Sequence, residues 1–296
     1  GEFGNHGLVT STGSIDISIT ERDKTLTLAQ GRIAILAGDG DIDIVADDVD
    51  FASGNDKVQA VGEFRLRSQS SDYNYRLGSA AQSSSGFDYT ANIPDGDLSF
   101  GMRDLSALRD GFSRIRIGHT DENHKVVMRI GDIEDKSVFD YSFHAKLTDD
   151  ASLVADTVYV VGDVQSSQDL DITARLLRVE RQNIHDAVGS PDAGISAQTL
   201  DLVIEEQVLQ QGWLKAVDRV DVQVTNTSIG ADVDNFVTIA GQPNSLTMDM
   251  GSLITTSAAG GTITINASQS LRLSGLVKTL ERESRIVVIA GTHLNM

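Results

Sequence analysis

The sequence predicts an all-β protein folded as a right-handed parallel β-helix, a solenoid with short helical and loop insertions. Three observations support this prediction: short segments alternate apolar and polar residues many times, no long helical pattern separates them, and Asn-Gly or Asp-Gly hairpin turns are scarce. The inward residues are mostly Ile, Leu and Val, as expected for coils stacked around one core. An antiparallel sandwich or barrel is the alternative, because consecutive hairpins would also give short, regular steps.

Each alternating segment has one apolar and one polar face, as a half-buried strand requires. In the last two segments, Ile263, Ile265, Leu271 and Leu273 are predicted to point inward, and Thr262, Thr264 and Arg272 outward. The composition agrees with many short strands, since the chain holds 27 Gly and only 3 Pro. The segments are residues 14–19, 25–28, 32–35, 41–44, 63–67, 114–117, 169–172, 221–224, 262–265 and 270–273.

Two stretches, residues 69–113 and 182–194, interrupt the alternation and are predicted to be insertions that project from the stack. The first includes a candidate helix from Met102 to Arg109, because apolar residues follow at helical spacing and a glycine comes soon after. A weaker helical pattern covers residues 205–216. Residues 1–3, Gly-Glu-Phe, are interpreted as a restriction-site scar. Residues 4–296 are interpreted as a single β-helix segment of a larger protein, with a complete small protein as the alternative.

Charge and composition exclude several classes of function. The chain of 296 residues has 43 acidic and 24 basic side chains, a net charge of −19, which argues against a nucleic-acid partner bound through a broad cationic surface. The same charge argues against docking on an anionic membrane. No apolar run reaches the roughly 18 residues of a membrane span, so no membrane insertion is expected. The absence of cysteine excludes disulfides, a thiol nucleophile and cysteine-bound zinc.

Residues 105–118, LSALRDGFSRIRIG, preceded by EFRLRS at 63–68, resemble a unit of very large bacterial haemagglutinin-like or adhesin-like exoproteins. Residues 251–267, GSLITTSAAGGTITINA, are similar to the β-helical shaft repeats of filamentous haemagglutinins. The first resemblance covers about residues 60–135 and departs from the family pattern after Gly118, where HTDENHK replaces a short glycine-rich turn.

The resemblance implies a non-catalytic, extracellular shaft segment at a bacterial cell surface. Its expected partners are the neighbouring coils of the parent protein and a cell-surface glycan or protein. The resemblance identifies no residue as a receptor contact, and the chain carries no secretion-domain signature that would indicate the export route.

An aromatic cluster within residues 69–111 suggests where specific recognition could occur. About 47 residues separate the strand centred on Leu66 from the one centred on Arg114, more than twice the length of a β-helix coil. The surplus is rich in Ser, Gln and Asn, a composition that suits adaptable polar recognition when combined with aromatic rings. The alternative is that these rings cover a hydrophobic patch on the coil edge. The candidate binding residues are Tyr73, Tyr75, Phe87 and Tyr89.

The acidic run at residues 38–50 could supply oxygen ligands to Ca²⁺. It contains only one imperfect copy of the calcium-binding nonapeptide, and Asp41 and Asp43 alternate with Ile42 and Ile44 as residues on the solvent face of a strand would. We therefore expect no metal ligands and no cofactor, with a Ca²⁺ site as the alternative.

Parallel β-helices also include polysaccharide lyases and hydrolases, which form the main alternative to a passive shaft. The adjacent carboxylates of Asp47-Asp48 and Asp149-Asp150 could take part in such chemistry. The Asn-Thr-Asp, Gly-His-Gly and Arg-Ile-Lys elements of polygalacturonases are missing, so no catalytic residue and no enzyme activity are expected. The arginines that could line one coil face are Arg65, Arg67, Arg114 and Arg116.

Overall fold

The structure is a computed structural model that describes most of the chain. The described residues form 29 β-strands and one α-helix. They are residues 3–5, 8–28, 35–51, 54–78, 81–83, 86–88, 97–120, 125–131, 144–179, 194–210, 212–224, 236–239, 253–256, 259–267, 270–273, 276–290 and 293–295.

The strands of the first half are β1 Phe3–Asn5, β2 Val9–Ser11, β3 Ile15–Ser18, β4 Thr25–Leu28, β5 Ile35–Ala37, β6 Ile42–Val45, β7 Asp48–Asp50, β8 Val58–Gln59, β9 Glu63–Arg67, β10 Asn74–Leu77, β11 Ala81–Ser83, β12 Gly86–Asp88 and β13 Asp97–Phe100. Helix α1, Met102–Ala107, comes next. The remaining strands are β14 Arg114–Gly118, β15 Val127–Ile130, β16 His144–Leu147, β17 Ala151–Val154, β18 Thr157–Val160, β19 Asp163–Ser166, β20 Leu170–Val179, β21 Gly194–Gln210, β22 Trp213–Val224, β23 Phe236–Ile239, β24 Leu253–Thr256, β25 Thr262–Ala267, β26 Ser270–Leu273, β27 Leu276–Thr279, β28 Arg285–Ala290 and β29 His293–Asn295.

Parallel pairing between successive coils confirms the predicted parallel β-helix. Most coils contribute one strand to each of three stacked faces, which we call face A (beginning with β1, β4 and β7), face B (beginning with β2, β5 and β8) and face C (beginning with β3, β6 and β9). Face C, which carries the candidate site, stacks β3, β6, β9, β14, β17, the start of β20, the middle of β21, the end of β22, β25 and β28 in register. Among the described strands, only the hairpin of β11 and β12 pairs antiparallel.

One continuous hydrophobic core fills the stack. On face C, Ile42 and Ile44 stack on Phe64 and Leu66, and all four side chains are buried. Residues between them point outward, as the two-residue period of a strand requires. Burying each such side chain contributes roughly 1.5–3 kcal/mol, so the column of apolar side chains holds consecutive coils together.

The stretch 69–113 is not simply an insertion, because much of it belongs to the stack. Strand β13 pairs with β10, and β10 in turn pairs with β15, all on face A. On its other side β13 lies against β7, where the backbone of Ser99 hydrogen-bonds to the carboxylate of Asp48. The spatial order on face A is therefore β7, β13, β10, β15, although β10 precedes β13 in the sequence.

Helix α1 takes the place of a strand on face B. It covers Met102–Ala107, which confirms the predicted helix, and Leu108 directly after it forms a parallel bridge with Val58 of β8. Leu105 and Leu108 are buried in the core. The helix follows from this packing: two leucines at helical spacing cover the inner side of a coil that has no face-B strand.

The weak helical prediction for residues 205–216 is wrong. Apart from residue 211, which is outside the described part, and Gly212, these residues lie at the end of β21 and the start of β22, where Val208, Leu214 and Ala216 are buried and Lys215 is exposed. The pairing of β20 with β21 is interrupted by a bulge between Ala174 and Leu176, where the chain turns from one face to the next. At such a corner the alternation of inward and outward residues shifts by one position, so the apolar residues fall at a spacing that resembles that of a helix. The predicted insertion at 182–194 lies outside the described residues, except for Gly194 at the start of β21.

The inward prediction for the C-terminal coils is confirmed where side chains are described. Ile263 and Ile265 are fully buried, whereas Thr262 and Thr264 are half-buried on the outer side of β25. The side chains of Leu271, Arg272 and Leu273 lie outside the described part. Among the described residues, no helix is both long enough and apolar enough to cross a bilayer.

Candidate functional site

The structure buries two of the four aromatic residues predicted to bind a ligand. Tyr73 and Tyr75 are 3% and 0% exposed, so both rings are buried in the stack and neither is presented to solvent. Tyr73 hydrogen-bonds through its hydroxyl to Asp23 and stacks beneath the guanidinium of Arg22. Phe87 lies in β12, and its side chain is outside the described residues, as is all of Tyr89.

Tyr75 is an anchor of the stack. Its hydroxyl oxygen accepts the backbone N–H of Ser68 at 2.8 Å and lies 2.7 Å from Nδ1 of His119. Burial raises the pKa of Tyr75 to about 12, so the phenol stays neutral at physiological pH. The ring thus joins the core to His119, a surface residue that the sequence does not associate with it.

The aspartates of the acidic run at residues 38–50 form hydrogen bonds with different parts of the fold. Asp41 accepts the backbone N–H of Glu63 at 2.8 Å, and Asp47 accepts both the backbone N–H and the hydroxyl of Ser70 at 2.7 Å. Asp48 accepts the hydroxyl of Thr25 at 2.8 Å, and burial raises its pKa. Among the described residues, no three acidic or histidine side chains come together in an arrangement that could hold a metal ion.

The second carboxylate pair considered for catalysis also bonds to backbone. Asp149 is buried and accepts the N–H groups of Gly111 and Phe112 at 3.0 and 3.2 Å. Burial raises its pKa, and the adjacent Asp110 raises it further. Asp150 accepts the backbone N–H of Asp169 at 3.2 Å. These bonds fix the turn before β14 and explain both carboxylates as structural groups.

A cleft of about 390 Å³ lies on the outer side of face C and brings together three of the four arginines identified in the sequence. Its volume falls in the range of small-ligand sites. Sequence reasoning did not identify it as a binding site, and the in-register pairing of Arg65 with Arg116 is the signal that reveals it. The lining residues are Asp43, Arg65, Leu66, Arg67, Arg116, Gly118, His119, Thr120 and Val154.

Strand geometry places the cationic groups of the cleft. Arg65 of β9 and Arg116 of β14 are direct neighbours on adjacent rungs, about 4.8 Å apart along the stack. Arg67 lies two residues along β9 and therefore on the same outer side. Gly118 closes the cleft with φ of +98°, and a Cβ there would lie 2.0 Å from the carbonyl oxygen of Val154. Only glycine permits this close approach of β14 to β17.

The arginines differ in how far they are neutralised. Arg65 donates to the carboxylate of Glu63 at 2.5 Å and lies 3.3 Å from Asp41, and the Glu63 hydrogen bond holds its pKa above the usual value. Arg67 lies 4.0 Å from Asp43. Arg116 is exposed and forms no ion pair with any residue in the described ranges. Arg116 is therefore the charge in the cleft that is available to an anion.

Carboxylates bound the cationic cleft along the stack. The outward row of face C, in register, is Asp16, Asp43, Arg65, Arg116, Ser152, Asp171, Asp201 and Asp221. We call the last three the acidic row. Burial raises the pKa of Asp201, and the charges of the other two members contribute, although Arg219 counters the effect at 2.5 Å.

Arg114 lies outside the cleft although it shares β14 with Arg116. Its guanidinium is 3.2 Å from Asp171, and its register partner on β9 is Glu63. Of the four arginines predicted to line one face, three line the cleft, and the fourth, Arg114, pairs with Asp171 of the acidic row.

Trp213 packs against the coil that precedes it. A Cβ on Gly194 would lie 2.0 Å from the indole ring, so the ring covers this glycine. The ammonium of Lys215 is 4.2 Å from the ring centroid, a cation–π contact on the outer side of face B.

Comparisons with known proteins give no relative from which a role could be transferred. No protein-family model matches the chain, and no curated protein or solved structure matches it either.

Proposed function

We propose that the chain is a non-catalytic, extracellular β-helical segment of a large bacterial surface or secreted protein. In this role it acts as a rigid spacer and presents a binding surface to a cell-surface glycan or protein. The observation that best supports the proposal is the continuous stack, in which parallel ladders share one hydrophobic core through the described coils.

Such a stack suits a spacer for physical reasons. Each coil hydrogen-bonds to the next, so stability accumulates along the axis and length can be added without a new core. The ten rungs of face C make nine spacings of about 4.8 Å, or about 43 Å in all. The net charge of −19 makes neighbouring rods repel each other and keeps them soluble.

The extracellular location and bacterial origin in this proposal rest on the resemblance of residues 105–118 and 251–267 to haemagglutinin-like exoproteins. The first of these motifs spans the last part of α1, the turn held by Asp149, and β14. It therefore corresponds to parts of one coil, as a repeated shaft unit would.

A polysaccharide lyase or hydrolase is the second candidate, because Arg65, Arg67, Arg116 and His119 line one cleft. Hydrolysis normally uses two carboxylates that flank the scissile bond. Asp43 is the one carboxylate residue among those that line the cleft, and its neighbour Arg67 is 4.0 Å away. The single carboxylate therefore argues against hydrolysis, and a lyase is left to the experiment.

A paired experiment separates the two candidates. The purified chain is applied to an array of neutral and acidic glycans, and the same glycans are incubated with it and analysed for new reducing ends and unsaturated uronates. We expect binding to at least one glycan class without product formation. Product formation that is abolished by Arg116→Gln would replace the adhesion proposal with the enzyme.

A further inference from the structure

The arginine cleft on face C concentrates positive charge at one position of the stack, and this charge does not continue as a cationic strip along the axis. From its geometry we infer that it binds a short acidic oligosaccharide through a carboxylate or sulfate group, an assignment that rests on the surface-binding role proposed above. The groups that act are the guanidinium of Arg116, supported by Arg65 and Arg67, with Asp43 beside them.

The anion is assigned to Arg116 because that charge is exposed and forms no ion pair with the residues described. A guanidinium binds carboxylate and sulfate oxygens in a bidentate manner, and such charge-assisted hydrogen bonds are stronger than neutral ones. Arg65, one rung away, remains charged although Glu63 occupies part of its donor set. The two guanidiniums together offer more donors than the local carboxylates use.

A sugar is favoured over a simple inorganic anion because the cleft also offers an acceptor. Oδ1 of Asp43 is shielded from solvent and accepts no hydrogen bond from the described residues. The exposed Arg67 side chain lies 4.0 Å from this oxygen, so a ligand hydroxyl that displaced Arg67 would be the hydrogen-bond donor that the oxygen lacks. Thr120, also exposed in the lining, adds a hydroxyl group that can donate or accept.

The carboxylates on both sides limit the length of the ligand. Along the axis, the row continues to Asp16 in one direction and through Ser152 to the acidic row of Asp171, Asp201 and Asp221 in the other. Asp171 and Asp201 are each paired with an arginine, so a long polyanion lying along this row would gain no unpaired cation from them. It would also meet the carboxylates of Asp16 and Asp221. A ligand that spans only the cleft avoids these carboxylates, so affinity should not grow with chain length as it does on an extended cationic surface.

The test titrates the full chain with fluorescently labelled oligosaccharides. Trigalacturonate carries carboxylates only, a κ-carrageenan tetrasaccharide carries sulfates only, and galactotriose is neutral. We expect at least one anionic probe to bind and galactotriose not to bind, and the anionic probe that binds identifies the group recognised. Failure of both anionic probes to bind at millimolar concentration would overturn the inference.

Matched variants locate the site. Arg116→Gln should lower affinity for the bound probe at least about tenfold, the effect of losing one charge-assisted pair. Arg114→Gln removes the same charge from the same strand outside the cleft and should change affinity less than about twofold. Equal losses in the two variants would show a general charge effect and overturn the site, provided that both variants melt like the parent chain.

Ligand length gives an independent readout. Oligogalacturonates of three and twelve residues should bind with affinities within about tenfold, the statistical gain from the overlapping trimers of the longer chain, if the trimer is the probe that binds; otherwise carrageenan oligomers replace them. A steep rise with length would overturn the short footprint. If the chain bound only neutral glycans on the array, the proposed surface-binding role would still hold, but the assignment of an acidic ligand to this cleft would be refuted.

Discussion

Asp104 of helix α1 accepts the backbone N–H of Phe51 at 2.7 Å, across a separation of 53 residues in the sequence. The same carboxylate accepts the N–H of Gly101 at 2.8 Å and so caps its own helix. Phe51 packs edge-to-face on Phe100, with ring centroids 5.5 Å apart. One buried carboxylate thus ties the only described helix to the coil beneath it.

This carboxylate should make stability depend on pH. Burial raises the pKa of Asp104 to about 7, against the lowering effect of its two backbone donors. The folded state therefore holds this proton more tightly than the unfolded state, and stability from this group falls as pH rises from about 4 to about 7. When the free energy of unfolding is measured in urea at a series of pH values, it should fall less between about pH 4 and about pH 7 for Asp104→Asn than for the parent chain. Parallel curves for the parent chain and the variant would contradict the assignment.

The register of β25 can be tested with three substitutions. Ile265→Asp places an unpaired charge in the core and should cost several kcal/mol. Thr262→Asp lies between Arg219 and Arg285 on neighbouring rungs and should be neutral or slightly stabilising. Thr264→Asp lies beside Asp221, so it should be mildly destabilising rather than neutral. Chemical denaturation measures all three, and equal effects at positions 262 and 264 would refute the register.

The alternation of apolar residues was enough to predict which side of each strand is buried, because that side depends only on a two-residue period. It could not predict which strand lies beside which. The order of β13 and β10 on face A, and the pairing of Arg65 with Arg116 across 51 residues, depend on contacts between distant segments. The burial of Tyr75 could not be predicted either, because the hydrogen-bond partners of its hydroxyl, Ser68 and His119, lie beside it only in the folded coil.

The buried hydroxyl of Tyr75 should contribute measurably to stability. Tyr75→Phe leaves the backbone N–H of Ser68 without its acceptor and should cost about 1–3 kcal/mol. Tyr159→Phe is the control, because that ring lies half-exposed against Arg129 and its hydroxyl forms no hydrogen bond with the residues described. Thermal and urea unfolding compare the two, and a loss of similar size in the control would contradict the role of Tyr75.

Gly194 and Trp213 should be coupled. A methyl group at position 194 would overlap the indole, and overpacking of this kind typically costs about 1–3 kcal/mol. Gly194→Ala should therefore cost less in a Trp213→Leu background, and a double-mutant cycle measures the difference. Strict additivity would show that the ring does not cover the glycine.

The stacked position of β10 changes what can be removed from residues 69–113. Replacing residues 80–95 with eight Gly and Ser residues leaves β10 and β13 in place, and eight residues can reach about 26 Å. This variant should melt near the parent chain. Replacing residues 70–97 also removes β10, so face A loses a rung between β13 and β15 and the protein should be strongly destabilised. Identical melting of the two variants would refute the strand order.

The reversed order of β10 and β13 also has a consequence for how the chain folds. A β-helix with strictly sequential rungs can fold by adding each new coil to the last one, as repeat proteins do. Here β10 is made before β13 yet lies beyond it, so it cannot join β7 directly and has no finished surface to bind. The coils on either side can join on face A only when β13 fills the space between β7 and β10. We expect this insertion of a later strand beneath an earlier one to be a slow step of folding, because it joins two otherwise stepwise halves through contacts between distant segments.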